Sequence, residues 1–187
     1  MTDKVEGTGP ALVIGLGNPL MGDDAIGLIA LERLAALVFA PPVEFVDGGA
    51  WGLALLPDIE RAGALLLLDA VHGERAPGAL YVLGIDQVPH VLHGKLSPHQ
   101  VDVRELLALA QWRGGLPSRL QIAGVQPAAV EYGSGLSPEA AAALDGLVEA
   151  ACAVLAAWGH VCQPAATAGS QEAVQPGQRD QSDGRSR

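Results

Sequence analysis

The stretch Ala64-Leu-Leu-Leu-Leu-Asp69 is apolar at every position up to its final carboxylate. A strand with one wet face alternates polar and apolar residues, so this unbroken run predicts a strand covered on both faces, as at the centre of a parallel sheet. Strand-like and helix-like segments alternate around it. Ala11 to Leu16, Val43 to Val46, Ala79 to Ile85 and Leu120 to Val125 read as the other strands. Asp24 to Leu37 sets Ile26, Ile29, Ala30, Leu34 and Leu37 at helical spacing before Pro41-Pro42, and Trp51 to Glu60 reads as a short helix. Ser97-Pro98-His99 and Ser137-Pro138-Glu139 have the form of helix starts, with Ser as cap and Pro in the first turn. The first of these helices runs to Gly114-Gly115 and the second to about Trp158. The alternation predicts a single α/β domain with a twisted, mostly parallel five-stranded sheet and helices on both faces.

At 187 residues the chain suits one domain with a proper core. Residues 1–9 lack periodicity and read as a loose leader, 10–162 as the folded domain, and 163–187, rich in Gln, Ser, Gly and Pro, as a disordered polar tail. No apolar run is expected to span a membrane, because 64–70 and the Ala-rich segment near residue 150 are both interrupted by charge or glycine. The start shows no basic segment followed by an apolar one, so a cytoplasmic location without membrane insertion is expected. The net charge of −10, with no basic cluster before the last few residues, argues against nucleic acid as a partner. Cys152 and Cys162 are too few for a disulfide framework, lack CxxC spacing, and read as reduced thiols.

The first strand runs into Gly15-Leu-Gly17-Asn18-Pro-Leu-Met-Gly22-Asp23-Asp24-Ala-Ile-Gly27, at the sheet edge where open α/β folds place ligands. Two nucleotide-site readings fail here. For G-x-G-x-x-G counted from Gly15 and Gly17, the third glycine position is Leu20; for a P-loop, Asp23-Asp24 stands where Lys and Ser/Thr belong. Adjacent carboxylates would repel a phosphate and suit a metal ion, an ammonium-like group or acid/base chemistry instead. Asp23 reads as the N-cap of the helix that follows, which leaves Asp24 as the group facing the site.

Parallel strands share one carboxyl edge, so Asp24 and Asp69 can meet there, with His99 closing the group from a loop. Two carboxylates and an imidazole make a site for a divalent transition metal. Asp69, directly after four leucines, needs a partner to offset its burial. His99 reads either as a surface histidine or as a neutral imidazole able to ligate, since protonation would oppose the helix dipole. His72, His90, His93 and His160 read as ordinary structural or solvent-exposed residues, and Asp47 as a turn residue first and a substrate-contact candidate second.

Taken in order, Gly15-Leu-Gly-Asn18-Pro-Leu-Met-Gly-Asp23-Asp24-Ala-Ile-Gly27, Asp47-Gly-Gly49, Leu68-Asp69-Ala70 and Lys95-Leu-Ser97-Pro-His99-Gln100 resemble the hydrogenase maturation proteases over about residues 10 to 160. The resemblance implies an endopeptidase that removes a C-terminal extension from the large-subunit precursor of a nickel-iron hydrogenase, after nickel insertion. It also implies that nickel carried by the precursor licenses cleavage, that no organic cofactor is needed, and that the metal-contacting positions are Asp24, Asp69 and His99. The first position is Glu in some members and Asp in others. Either the metal activates the attacking water, or it only docks the substrate while Asp24 or Asp69 acts as general base. No G-x-S-x-G motif or partnered cysteine offers a nucleophile. Two other readings stand beside this one. One is a nickel-dependent chaperone of the precursor that does not cut it. The other is peptidyl-tRNA hydrolase, which shares Gly-Leu-Gly-Asn-Pro but departs at Leu20-Met-Gly-Asp-Asp24 and would be expected to show a basic face.

Overall fold

The computed structural model describes residues 9–49, 52–87, 103–133 and 135–163. In chain order the elements are β1 (Ala11–Leu16), α1 (Ile26–Ala35), β2 (Val38–Ala40), β3 (Glu44–Gly49), α2 (Leu56–Arg61), β4 (Ala64–Ala70), β5 (Leu80–Gly84), α3 (Val103–Trp112), β6 (Arg119–Val125), α4 (Pro138–Ala157) and β7 (Val161–Gln163). Five strands form one sheet in the order β3-β1-β4-β6-β5. All neighbours are parallel except β5, which runs antiparallel to β6.

The leucine run is the centre of this sheet. Leu65 to Leu68 are at most 2% exposed, and alternate residues face opposite ways. Leu65 and Leu67 join Leu12 and Ile14 of β1 under α2 and α3, while Leu66 and Leu68 join Val13 under α1 and α4. Each such side chain contributes about 1.5–3 kcal/mol of burial, which is why four in succession hold the strand at the centre.

From β1 the chain moves outward to β3, returns past β1 to β4, crosses to the far edge as β5 and comes back between β4 and β5 as β6. The order therefore reverses between β1 and β4, and at such a switch point the connections leave the sheet in opposite directions and open a crevice at the carboxyl ends. Helix α1 seats its first turn on this edge. A Cβ added to Gly27 would stand 2.3 Å from the Leu68 carbonyl oxygen and 2.5 Å from that of Leu16, so only glycine permits the approach.

Three expectations are corrected. The helix expected from Asp24 begins at Ile26, after a 3-10 turn over Gly22–Ala25. Strands β2 and β7, not foreseen, pair antiparallel through Val38↔Gln163, Phe39↔Cys162 and Ala40↔Val161. Helix α4, capped by Ser137 as expected, is twenty residues long, has a mean hydropathy of 1.7 over its most apolar eighteen, and is long and apolar enough to cross a membrane. In this fold Ala140, Leu144, Leu147, Ala151, Val154 and Leu155 are instead buried with α1 and the sheet. Cys152 on α4 and Cys162 on β7 are not bonded to each other.

Candidate active site

The site grows from the end of β1. Gly17 has φ 126°, and a Cβ there would stand 1.8 Å from the Asp24 carbonyl oxygen, so the chain folds back on itself only because this residue has no side chain. The return brings the Asn18 N–H to Asp24 Oδ2 at 2.7 Å, and the Asn18 side chain accepts from the Leu20 N–H at 3.0 Å. Within the turn, Asp23 and Asp24 are 1% and 8% exposed and are the buried charged residues among those described.

The two carboxylates differ in their surroundings. Asp23 Oδ2 accepts from the Ala128 N–H (2.8 Å), the Ala129 N–H (3.3 Å) and the Ser137 hydroxyl (2.8 Å), and Oδ1 accepts from the Ser137 N–H (2.6 Å). Burial pushes its pKa up, but these donors together outweigh burial and hold it below the usual carboxylate value. Neither the 3-10 turn nor α1 has a side-chain cap, which corrects the expectation that Asp23 caps its own helix. Its partners lie more than a hundred residues away, and it ties the loop before α4 to the site. That loop also bonds through backbone, Gly22 N–H to the Gly133 carbonyl (3.1 Å) and Gly133 N–H to that of Leu20 (3.0 Å).

Among the described residues, Asp24 has one backbone donor where Asp23 has three. Burial raises its pKa, opposed by the Asn18 N–H and by the charge of His72. A buried carboxylate so short of donors is suited to meet a cation or to carry a proton.

Asp69, half-buried, lies one residue beyond the Gly15↔Leu68 pairing of β1 with β4, with Oδ1 accepting from the Ala70 N–H at 2.8 Å. Asp24, in the 3-10 turn that follows β1, and Asp69, on β4 beside β1, thus both belong to the carboxyl-edge side of the switch point. Among the described residues, no three His, Cys, Asp or Glu side chains close into a metal-holding group. His99, His90 and His93 lie outside the described residues. Asp47 is exposed on β3, on the same carboxyl edge, opposite Gly15.

His72, read from the sequence as an ordinary structural or solvent-exposed residue, is half-buried. Two residues past β4, its Nε2 is buried and has no hydrogen-bond partner. Burial lowers the imidazole pKa, opposed by the Asp24 charge, so it is held in its neutral form. Its place directly after the strand that carries Asp69 was the available signal.

Beside Asp23, a cleft of about 210 Å³ is lined by Gly22, Ala129, Glu131, Tyr132 and Ser137, with Tyr132 standing 86% exposed at its mouth.

A doubly wound sheet with carboxylates, rather than a phosphate loop, at its switch point defines a class of α/β site suited to a cation or to proton transfer. The sequence matches the hydrogenase maturation protease family model over residues 30–154. The chain belongs to the hydrogenase maturation protease family. It is 39% identical over 168 residues to the hydrogenase expression/formation protein HupD of Rhodobacter capsulatus, covering 88% of this chain and 80% of that protein. It is 35% identical over 146 residues to the hydrogenase 2 maturation protease of Escherichia coli K12, covering 77% and 89%. Among solved structures, the hydrogenase maturating endopeptidase HybD from E. coli superposes with a TM-score of 0.77 at 33% identity, over 83% of this chain and 98% of that one. The family assignment removes peptidyl-tRNA hydrolase from consideration.

Proposed function

We propose that this chain is a cytoplasmic endopeptidase that removes the C-terminal extension of a nickel-iron hydrogenase large-subunit precursor after nickel insertion, with the precursor's nickel as the recognised feature. The reading is supported by a buried Asp24 in the turn after β1 and by Asp69 on β4, the strand β1 pairs with at the switch point, in a member of this family. The donor chemistry fits a visiting metal. Asp24 is buried with one hydrogen-bond donor among the described residues, which favours an approaching cation. Asp24, Asp69 and His99 are the residues that hold it.

Bound there, the precursor's metal supplies an electron-pair acceptor that docks the substrate. The hydrolysis is assigned to the carboxylates. Asp24 takes a proton from water as the water oxygen bonds to the scissile carbonyl carbon. The carbon–nitrogen bond then breaks, and the proton passes from Asp24 to the leaving amine. Asp69 faces the same edge and orients the peptide. Asp23 stays ionised under its four donors and fixes the wall of the cleft through which the peptide enters.

The test incubates purified protein with nickel-loaded precursor and follows the precursor mass. Loss of one C-terminal peptide supports the protease reading. An intact precursor, in cells whose hydrogenase maturation needs this gene, supports the non-cutting chaperone instead.

A further inference from the structure

Three loops that leave the carboxyl edge of the sheet each present a large apolar side chain to solvent. Leu20 follows β1 and is 56% exposed, Leu53 follows β3 at 52%, and Tyr132 follows β6 at 86%. One exposed leucine on a surface is ordinary, but three such side chains around the edge that carries Asp24 and Asp69 mark a contact surface. Trp112, also exposed, supplies the contrast. It ends α3 beside Arg113, whose guanidinium pairs with Glu60 just before β4 begins, so it stands at the opposite, amino edge.

Leu20 and Tyr132 are held together. Met21 and Gly133 form a parallel bridge, in which the Gly133 N–H donates to the Leu20 carbonyl at 3.0 Å and the Gly22 N–H to the Gly133 carbonyl at 3.1 Å. Each of the two apolar residues stands one position before the bridge, so the register sets them side by side. Asp23 fastens the same loop from behind through Ala128, Ala129 and Ser137. An aromatic ring on a loop pinned in this way loses little freedom when a partner covers it.

The pair borders the cleft of about 210 Å³ beside Asp23, four residues from Asp24 in the case of Leu20. That volume is below the roughly 300–1,000 Å³ of a small-molecule pocket and suits side chains of an extended peptide. Asp24 and Asp69 on this edge, with Glu131 lining the cleft, disfavour an acidic segment.

We propose that Leu20 and Tyr132 are specificity-determining residues that seat an apolar segment of the precursor's C-terminal extension beside the scissile bond. This rests on the endopeptidase reading above. The contact is made before and during bond breaking alike, so it governs how tightly the precursor binds and not how fast the bond is cut. Tyr132 carries most of it, since tyrosine offers a large rigid surface and leucine is seldom a dominant contact.

The test measures kcat and KM on the nickel-loaded precursor for wild type, Tyr132→Ala, Tyr132→Phe, Leu20→Ser and Trp112→Ala. It is repeated on a precursor whose extension carries serine in place of its apolar residues. The expected KM is at least about tenfold higher in Tyr132→Ala and raised less in Leu20→Ser, with kcat kept. Tyr132→Phe restores the wild-type KM, and Trp112→Ala never loses it. On the serine-substituted precursor, wild type and Tyr132→Ala share one KM. An unchanged KM in Tyr132→Ala, an equal rise on both precursors, or a loss confined to kcat overturns the seat and leaves the endopeptidase reading standing. So does a wild type that sediments as a dimer while Tyr132→Ala sediments as a monomer, which gives the surface to a second copy. A precursor left uncut by the wild type overturns both.

Discussion

Truncating Asp23 to alanine separates a long-range tie from an ordinary helix cap. The side chain is 1% exposed and accepts from Ala128 N, Ala129 N, Ser137 N and Ser137 Oγ, three of these four bonds at 2.8 Å or less. Hydrogen bonds to a charged group are worth about 1.5–3 kcal/mol each before the carboxylate's own desolvation is returned. Ala128 and Ala129 are exposed and can turn to water, whereas Ser137 is half-buried at the start of α4 and keeps only part of its pairing. The expected loss is about 3–4 kcal/mol, against about 1 kcal/mol for a helix cap. Urea denaturation measures it, and for a chain of this size it corresponds to a fall in Tm of about 10 °C. Asp23→Asn, whose remaining oxygen can still accept from Ala128 and Ala129, should lose about half as much. The pKa of Asp23 is lowered in the folded state, so its contribution is present above the unfolded value near 3.8 and is lost as the pH falls through the lower native value. The difference between wild type and Asp23→Ala should therefore shrink in acid below about pH 4. A loss under about 1 kcal/mol at pH 7, or one that persists unchanged in acid, would refute the tie.

Three further outcomes follow from the same site. Asp24→Asn should lower processing at least about a hundredfold while stability at pH 7 is kept or slightly raised, because a carboxylate with a raised native pKa opposes folding when ionised. Precursor turnover together with thermal melting checks both parts. Asp69→Asn and His99→Ala should each abolish processing with the far-UV spectrum unchanged, and normal cleavage by either variant removes that residue from the mechanism. Ending the chain after Gln163 should leave both melting and processing intact, since β7 is complete at that residue. Lost activity with unchanged melting would make the tail a docking element.

How far the fold could be read from the sequence depends on where each element's partners lie. β1, β4 and the start of α4 are visible because their signals are local: an unbroken apolar run needs two covered faces, and Ser-Pro-Glu supplies cap, first turn and acidic residue within three positions. The β2–β7 pair is not, because three-residue strands carry no period and each exists only through the other, over a hundred residues away. Asp23 fails for the same reason. Its neighbours in sequence make it a cap, but donors 105 to 114 residues distant make it a tie between two halves of the site. That Asp24 and Asp69 lie toward one edge was legible because parallel strands share their carboxyl ends whatever their separation in the chain. His72 was not, since an unpartnered buried nitrogen is a property of packing and five histidines in one sequence do not announce which of them is buried.

The account turns on a metal carried by the substrate and met by carboxylates at the switch point. The most direct measurement is the intact mass of one precursor preparation, nickel-free and nickel-loaded, before and after incubation with this protein. The account predicts loss of a single C-terminal peptide from the nickel-loaded form only, with Asp24→Asn inactive on both. Equal cleavage of the two forms, or full activity of Asp24→Asn, would contradict it.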